Sequence, residues 1–469
     1  MSGTKSGKVK CLVCGAIFDA TEQVCPVCGV GPEQFEPIEE APAQVRCTIC
    51  GAVFDAALDT CPVCGVGPEY FEPMEAESRK AFRHDTTEIF MVLGGGTAAF
   101  SAAKAIRERN RTATIVLVSE ENALPYNRPM LTKALTEGEL GDNLAIEPAQ
   151  WYEENRVYPM LGYRVVALDP AAREVHLEGG IRLAYDKLIY ALGARCFIPP
   201  FPGGDLAGVY AIRGIADALK VRGEVKAGGS AAVIGGGVLG LEAAWALRTA
   251  GMNVTVIETA PKLLAGKVDD EASALLTSIA EKAGVHIIAN AKVERIEGSS
   301  HAEAVSLADC TRVPAEFVVV SCGIRANTAI AEAAGLKIGR AVQVDGHMRT
   351  NVSGVYACGD CAEFEGVNYG IWPEATQQGE VAGANAAGEA LSYKPEAPAL
   401  TMNALTTSLY SIGAIGQADE AVGGAEGDGL RKLFYKDGAL VGAILIGSLS
   451  SMVAVRNAVL RGAAKGEEI

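Results

Sequence analysis

Eight of the thirteen cysteines lie in the first 65 residues and form two copies of one pattern. Each copy reads C-x2-C-x10-C-x2-C, and 18 of 26 aligned positions are identical at an offset of 36 residues. Four thiolates on two tight turns can surround one tetrahedral metal ion, either zinc in a structural ribbon or iron in a one-electron centre. The spacing alone does not choose between these metals. The predicted ligands are Cys11, Cys14, Cys25 and Cys28 in the first copy and Cys47, Cys50, Cys61 and Cys64 in the second.

Two glycine clusters, GxGxxA at 94–99 and GxGxxG at 235–240, each follow an apolar run and open an amphipathic segment. Such glycines let a pyrophosphate approach the N terminus of a helix, and an acid on the next strand accepts a hydrogen bond from a ribose hydroxyl. Two dinucleotide sites in this order suggest FAD at the first and NAD(P) at the second. The predicted contacts are Gly94, Gly96, Ala99 and Glu120 in the first site and Gly235, Gly237, Gly240 and Glu258 in the second.

Glu258 also bears on the choice between NADH and NADPH. A carboxylate at the end of this strand accepts a hydrogen bond from the ribose 2′-hydroxyl of NADH and repels the 2′-phosphate of NADPH. Thr259, Ala260 and Pro261 follow it, and no arginine stands near them in the sequence. The sequence therefore favours NADH over NADPH.

The cysteine copies resemble rubredoxin. The shared features are a CxxCG turn followed by an aromatic residue, and then CPVCGxGxxxFEP. The segment between the two CxxC turns is shortened to ten residues, which departs from rubredoxin itself. This resemblance implies two small rubredoxin-like domains in which the metal holds the fold. It favours two iron ions, each bound by four cysteine thiolates, with zinc as the alternative.

Three further segments resemble motifs of the FAD-dependent pyridine nucleotide-disulphide oxidoreductase superfamily. LIYALGAR (188–195) and FVVVSCGIRANTAI (317–330) resemble its two connecting motifs, and NVSGVYACGDCAEF (351–364) resembles its second FAD motif. The resemblance covers residues 88 to about 390. It implies that Gly323, Gly359 and Asp360 contact the cofactors, with Asp360 on the ribityl chain of FAD.

A fourth segment points to a subfamily. LPYNRP (124–129) followed by LTK (131–133) resembles the PYxRPxLSK segment of reductases that serve small iron–sulfur proteins, and of NAD(P)H:rubredoxin oxidoreductase. The resemblance implies that Arg128 contacts FAD and that Lys133 lies near the flavin, paired with Glu242. It also implies that Trp372, in WPEATQQG, lines the flavin.

These motifs need α/β domains to position them. Apolar runs alternate with amphipathic helical patterns, as in EIFMVLGGG–TAAFSAAKAIRERN and SAAVIGGG–VLGLEAAWALRTAG, which predicts two Rossmann-like domains with parallel sheets. Strand-like segments near the end predict a small α+β lobe. The predicted boundaries are rubredoxin-like domains at 1–40 and 41–76, a linker at 77–87, an FAD-binding domain at 88–205 and 325–392, an NAD-binding domain at 206–324, and the C-terminal lobe at 393–469.

Composition narrows the range of partners. The chain of 469 residues has a formal net charge of −16, which argues against nucleic acid as a partner. No apolar stretch reaches the roughly 18 residues of a membrane span, and the polar start MSGTKSGKVK does not read as a signal peptide. A cytoplasmic protein with reduced thiols is expected.

Together these observations predict an NADH-dependent oxidoreductase. A hydride from NADH would pass to FAD, and single electrons would then pass to the two rubredoxin-like centres and on to an external acceptor protein. The resemblance suggests as acceptor an oxygen- or peroxide-detoxifying protein of anaerobes, such as a flavodiiron protein or rubrerythrin, or a catabolic reductase.

Three alternatives remain open at this point. One is an NADH oxidase that passes electrons directly to oxygen. A second is a flavoprotein whose cysteine copies are structural zinc ribbons used for docking. The third is a disulfide reductase that uses Cys358 and Cys361, which form a CxxC pattern.

Overall fold

The computed structural model forms two compact units, Met1–Glu77 and Ser78–Ile469. The residues it describes are 8–11, 17–19, 31–32, 35–37, 44–48, 53–56, 58–61, 66–73, 82–136, 140–395, 397 and 399–469.

The two cysteine copies of the first unit have the same backbone pattern. Each has a three-stranded antiparallel sheet with the strand before the first CxxC turn at its centre. Val9 pairs with Phe18 as Val45 pairs with Phe54, and Cys11 pairs with Phe35 as Cys47 pairs with Phe71. The sequence repeat is therefore also a repeat in register. The strands are Lys8–Cys11, Ile17–Asp19 and Phe35–Pro37, then Gln44–Cys47, Val53–Asp55 and Phe71–Pro73, with a 3₁₀ turn at Pro68–Tyr70.

The second unit begins with a five-stranded parallel sheet, hereafter the first parallel sheet. Side chains of its central strand alternate between two apolar clusters, Phe90 and Val92 in one, Met91 and Leu93 in the other. Both faces are therefore covered, as parallel sheets require. In spatial order its strands are Val355–Ala357, Lys187–Tyr190, Ile89–Leu93, Thr114–Ser119 and Val157–Leu161. Its two long helices are Thr97–Arg109 and Trp372–Ala386.

A second five-stranded parallel sheet repeats this design with the other glycine cluster. Its spatial order is Val209–Tyr210, Phe317–Val320, Ser230–Ile234, Asn253–Ile257 and Val285–Ile288. Its helices are Ile215–Glu224, Val238–Thr249 and Asp270–Lys282. The predicted pair of Rossmann-like sheets is confirmed, and so is the α/β fold class.

Antiparallel elements complete the second unit. One apolar cluster joins Leu241 and Leu276 of the second sheet's helices to Leu409 and Ile444, so the C-terminal sheet packs on those helices. That sheet contains Ala399–Ala404, Thr407–Gly413, Glu420–Glu426, Gly429–Lys436 and Ala439–Ile446, followed by the helix Met452–Arg461.

Smaller elements lie between these layers. There are two three-stranded meanders. The first contains Val165–Asp169, Glu174–Leu177 and Arg182–Ala184, and the second contains Val293–Glu297, Ala304–Leu307 and Arg312–Pro314. Two-stranded pairs are Ala194–Cys196 with Ile324–Ala326 and Val342–Val344 with Ala362–Phe364. Short helices and 3₁₀ turns are Met130–Lys133, Asp142–Leu144, Ala149–Glu154, Glu178–Gly180, Ala329–Ala333, Gly359–Cys361 and Ile415–Gln417. Within the described ranges, every helix is too short or too polar to cross a bilayer.

The two long helices of the first parallel sheet approach each other backbone to backbone. A Cβ added to Gly379 would lie 2.3 Å from the carbonyl oxygen of Ala98, and one added to Gly383 would lie 2.3 Å from that of Ala102. Thr97 Oγ1 and Thr376 Oγ1 are 2.9 Å apart at the same contact. Glycine is therefore required on one helix so that the other can reach it.

We expect Gly379→Ala to lower the free energy of unfolding by about 1–3 kcal/mol, because the added methyl group must push the helices apart. Thermal and denaturant unfolding measure the loss. The control is Gly223→Ala, at an exposed helical glycine with open space around it, where stability should rise by about 0.5–1 kcal/mol. Equal stability of Gly379→Ala and the wild-type protein would contradict the argument.

Candidate active site

A cavity of about 350 Å³ opens at the carboxyl ends of three strands of the first parallel sheet. In open α/β sheets this edge is where ligands bind. Residues from the second glycine-rich helix, Val238, Leu239 and Glu242, close another side. The cavity is also lined by Gly96, Thr97, Arg128, Gly193, Arg213, Cys358, Asp360, Gly370 and Trp372.

The two glycine-rich turns share one geometry. Gly94 has φ +131° and Gly235 has φ +119°. A Cβ on either would lie 2.1–2.2 Å from a carbonyl oxygen of the adjoining strand connection, Ala191 or Ser321. The turn must therefore be glycine. A Cβ at Gly96 or Gly237, each the residue before its helix, would meet nothing within 4 Å, so the backbone at both helix N termini is open to a ligand.

The acidic residues after the two turns differ. Glu258 is held by two backbone amides, since Oε2 accepts from Gly236 N and Oε1 from Ala260 N, both at 2.6 Å. The side chain of Glu120 is 74% exposed, and its Oε1 lies 3.8 Å from Arg164 Nε. Of these two acids, Glu258 is held by hydrogen bonds to backbone amides, whereas Glu120 extends into solvent.

Asp360 follows a left-handed turn at Gly359, where φ is +76°. Arg213 Nη2 donates to Asp360 Oδ2 at 2.6 Å, and both residues line the cavity. The Gly359 amide donates to Gln378 Oε1 at 2.9 Å. Sequence reasoning missed both Arg213 and Gln378, since no local pattern connects residues so far apart in the chain.

Gln378 belongs to a buried polar chain. Its Nε2 donates to the Tyr393 hydroxyl at 3.2 Å, and that hydroxyl donates to Glu374 Oε2. Gln378 and Glu374 are 2% and 5% exposed. Each hydrogen bond in this series is donated in the same direction, from the Gly359 amide through Gln378 and Tyr393 to the Glu374 carboxylate. The series therefore defines the orientation of the Gln378 amide and the Tyr393 hydroxyl.

Arg128 is held on the cavity wall by three groups. Nη1 donates to the Tyr126 hydroxyl at 2.9 Å and to the Arg213 carbonyl at 2.7 Å, and Nη2 pairs with Glu121. Tyr126 in turn donates to Glu121 at 2.7 Å, and burial raises the pKa of its hydroxyl well above the usual value. Arg128 therefore carries a charge that is already neutralised within the protein.

Glu242 and Lys133 lie on neighbouring helices, and Glu242 lines the cavity. Thr132 Oγ1 donates to Glu242 Oε2 at 2.8 Å. Burial raises the pKa of Glu242, while the Thr132 hydrogen bond and the Lys133 charge act against that rise. Trp372 begins the helix on the opposite wall. Thr132 is a third residue that sequence reasoning missed.

Cys358 and Cys361 are both fully buried but belong to different apolar clusters. Cys361 Sγ lies 3.4 Å from the Tyr190 carbonyl oxygen, and Cys358 Sγ lies 4.0 Å from that of Ala98. Burial raises the pKa of Cys361 to about 12 and that of Cys358 well above its usual value. Protonated thiols in separate clusters fit packing rather than a redox pair.

Most predicted metal ligands, namely Cys14, Cys25, Cys28, Cys50 and Cys64, lie outside the described residues. Cys11 ends a strand, and Cys47 and Cys61 are buried, at 0% and 2% exposure. The Cys61 amide donates to the Val66 carbonyl oxygen at 2.8 Å. In the portion of the chain that the structure describes, no three His, Cys, Asp or Glu side chains are grouped for a metal.

Comparison with known proteins adds two matches. Residues 89–379, more than half of the chain, match the family described as pyridine nucleotide-disulphide oxidoreductase. Residues 46–72, which contain the second cysteine copy, match the rubredoxin-like domain of rubrerythrin.

Individual relatives are reductases of small redox proteins. The ferredoxin–NAD(+) reductase component of the biphenyl dioxygenase system of Paraburkholderia xenovorans is 36% identical over 273 residues, 58% of this chain and 67% of the relative. The NADH-rubredoxin oxidoreductase of Clostridium acetobutylicum is 31% identical, over 69% of this chain and 81% of the relative. A crystal structure of NADH:rubredoxin oxidoreductase from that organism aligns with a TM-score of 0.68 at 27% identity, over 82% of this chain and 97% of that one.

Some relatives are longer. The chain spans 46% of a nitrite reductase and 47% of an electron transfer subunit of assimilatory nitrate reductase, both from Bacillus subtilis.

We expect Gln378→Leu to weaken retention of flavin, because it leaves the buried Gly359 amide without an acceptor at a cost of about 1–3 kcal/mol. The ratio of flavin to protein absorbance after dialysis measures the loss. Tyr393→Phe is the control, since it keeps the bond between Gly359 and Gln378. Flavin retention in Gln378→Leu equal to that in Tyr393→Phe would show that the bond does not hold the turn.

Proposed function

The chain belongs to the pyridine nucleotide-disulphide oxidoreductase family of FAD-dependent oxidoreductases, and from this premise we propose that it is an NADH-dependent reductase of rubredoxin-type centres. The centres would be its own two cysteine copies, and an external acceptor protein would receive the electrons from them. One observation carries the proposal. The same chain contains the cavity with its two glycine-rich turns and a second cysteine copy that matches a rubredoxin-like domain.

The residues around the cavity fit FAD. Gly94 and Gly359 make turns that a side chain would block, and the open backbone at Gly96 leaves room for a pyrophosphate at a helix N terminus. Asp360 and Arg128 would hold the remaining polar groups of the cofactor. Bound FAD would accept two electrons from NADH and release them one at a time.

Glu258 supports NADH as the electron donor. One carboxylate oxygen accepts from the amide of Gly236, between Gly235 and Gly237 where the second dinucleotide would lie, and the other accepts from the amide of Ala260. A carboxylate fixed in this way is placed to accept from a ribose 2′-hydroxyl, and it repels a phosphate there. Lys262, which could otherwise receive a 2′-phosphate, is paired with Asp270 at 2.5 Å.

Lys133 and Glu242 would set the charge beside the flavin. An ionised Glu242 balances the Lys133 ammonium, and Thr132 Oγ1 stabilises that ionised form through its hydrogen bond. If Glu242 is protonated, the ammonium loses its counter-charge. Trp372 would shield this part of the cavity from water.

Two tetrathiolate sites would match the two electrons that one NADH supplies, because an iron–tetrathiolate centre takes one electron. Attachment to the same chain raises the effective concentration of the acceptor. The relatives include an NADH-rubredoxin oxidoreductase. The external acceptor is proposed to be a flavodiiron protein, a rubrerythrin or a catabolic reductase.

The test is metal analysis of protein from an iron-replete source, followed by anaerobic titration with NADH under a visible spectrophotometer. We expect about two iron ions per chain, because eight cysteines form two sets of four. The ferric absorbance should bleach together with that of the flavin. Two zinc ions with bleaching of the flavin alone would instead make the cysteine copies docking modules.

The pH dependence of kcat/KM tests Glu242. Removing the hydroxyl in Thr132→Val takes away one donor that favours the charged form of the carboxylate, so the pKa of Glu242 should rise. The acidic limb of the profile should then move upward by about 1 pH unit, which corresponds to about 1.4 kcal/mol. Thr132→Ser keeps the hydroxyl and should keep the wild-type limb. Coincident profiles of all three proteins would remove Glu242 from the proposed role.

A further inference from the structure

Two arginines face each other on the short antiparallel ribbon formed by Ala194–Cys196 and Ile324–Ala326. Arg195 and Arg325 are direct cross-strand partners. Like charges in this relation destabilise a strand pair. In a chain with a net charge of −16, such a pair of cations calls for an explanation.

Strand alternation places these side chains on the solvent side of the ribbon. Their neighbours point inward, since Cys196 Sγ donates to the Ile212 carbonyl at 3.5 Å and Ile324 Cδ1 lies beside Gly370. Both arginines are exposed. Across the described part of the chain, no carboxylate lies within 4.0 Å of either guanidinium.

The guanidinium of Arg325 is nevertheless held in place. It lies 4.0 Å from the centre of the Phe197 ring, a cation–π distance, and Nη1 donates to the Ile324 carbonyl at 2.9 Å. Ile198, next to Phe197, is 38% exposed. The ribbon therefore presents two exposed positive charges, one of them held in place, next to a small apolar surface.

This surface borders the cavity. Gly193, two residues before Arg195, lines it, and so does Gly370, which packs against Ile324. The guanidiniums inside the cavity are neutralised, Arg213 by Asp360 and Arg128 by Glu121. The unpaired positive charge near the cavity is therefore outside it, on Arg195 and Arg325.

We propose that Arg195, Arg325, Phe197 and Ile198 form the docking surface for a small acidic protein that carries an iron–tetrathiolate centre. This inference rests on the proposed function, in which each NADH oxidised to NAD⁺ and a proton reduces two ferric centres to ferrous ones. The occupant is chosen by charge complementarity. In this chain the segment with the tetrathiolate cysteines, residues 1–80, has 6 basic and 12 acidic side chains and so a net charge of −6. Opposite charges at an interface raise the rate of productive encounter.

The experiment uses the full-length, flavin-loaded chain and a purified acidic rubredoxin in solution as the probe. The second-order rate constant for NADH-dependent rubredoxin reduction is measured from about 0.02 to 0.5 M salt, a range over which screening becomes strong. For the wild-type protein we expect the rate constant to fall with salt. The double variant Arg195→Gln/Arg325→Gln should have a rate constant about tenfold lower at low salt, and its rate constant should depend less on salt.

The matched control is Arg173→Gln with Lys292→Gln, which removes two exposed positive charges outside the cavity lining. It should behave as the wild-type protein does. If the Arg195/Arg325 variant has the same rate and salt slope as this control, the docking surface is overturned, and the arginines only protect the edge of a ribbon.

NADH-dependent reduction of menadione, a neutral quinone, separates the two proposals. Both variants should keep the wild-type rate with this acceptor, because a small neutral molecule needs no charged docking surface. A wild-type protein that reduces neither rubredoxin nor menadione with NADH refutes the proposed function itself. A variant that loses menadione reduction has a damaged cavity, which would contradict the placement of the two arginines outside it.

Discussion

The close approach of the helices Thr97–Arg109 and Trp372–Ala386 is the constraint on which the cavity depends. Gly379 and Gly383 let the backbones touch, and this contact joins residues about 280 positions apart in the chain. The first helix begins at the turn after Gly96, and the second carries Gln378, which holds the amide of Gly359. Without this contact the two motifs predicted to bind FAD would not face the same cavity. The interior tolerates no intervening side chain because it is close-packed.

The two glycine-rich turns share one backbone conformation but differ in the acidic side chain that follows each of them. Gly94 and Gly235 have similar φ angles, and each lies close to a carbonyl oxygen, that of Ala191 or of Ser321. Steric exclusion of a side chain therefore dictates both turns. The side chains then diverge. Glu258 is held by the amides of Gly236 and Ala260, whereas Glu120 extends into solvent. The proposed selectivity for NADH therefore rests on Glu258, which cannot move away without losing two hydrogen bonds.

Local sequence predicted most of the fold, because turns, periodicity and the cysteine repeat are local signals. The two Rossmann-like domains with parallel sheets and the strand-like segments of the C-terminal lobe were predicted from patterns within about 30 residues. The pairings of Arg213 with Asp360 and of Gln378 with Gly359 could not be predicted in this way. They arise only after distant strands are in register, and neither arginine nor glutamine carries a local signature for such a contact.

The distribution of arginines follows from the cost of burying charge. A guanidinium on the wall of a cavity loses water and needs a carboxylate, which Glu121 and Asp360 supply to Arg128 and Arg213. A guanidinium in solvent has no such need, so Arg195 and Arg325 can remain without one. Their positive field then extends into the solvent, where salt screens it. Paired charges inside and unpaired charges outside thus separate the binding of cofactors from the recruitment of a charged protein.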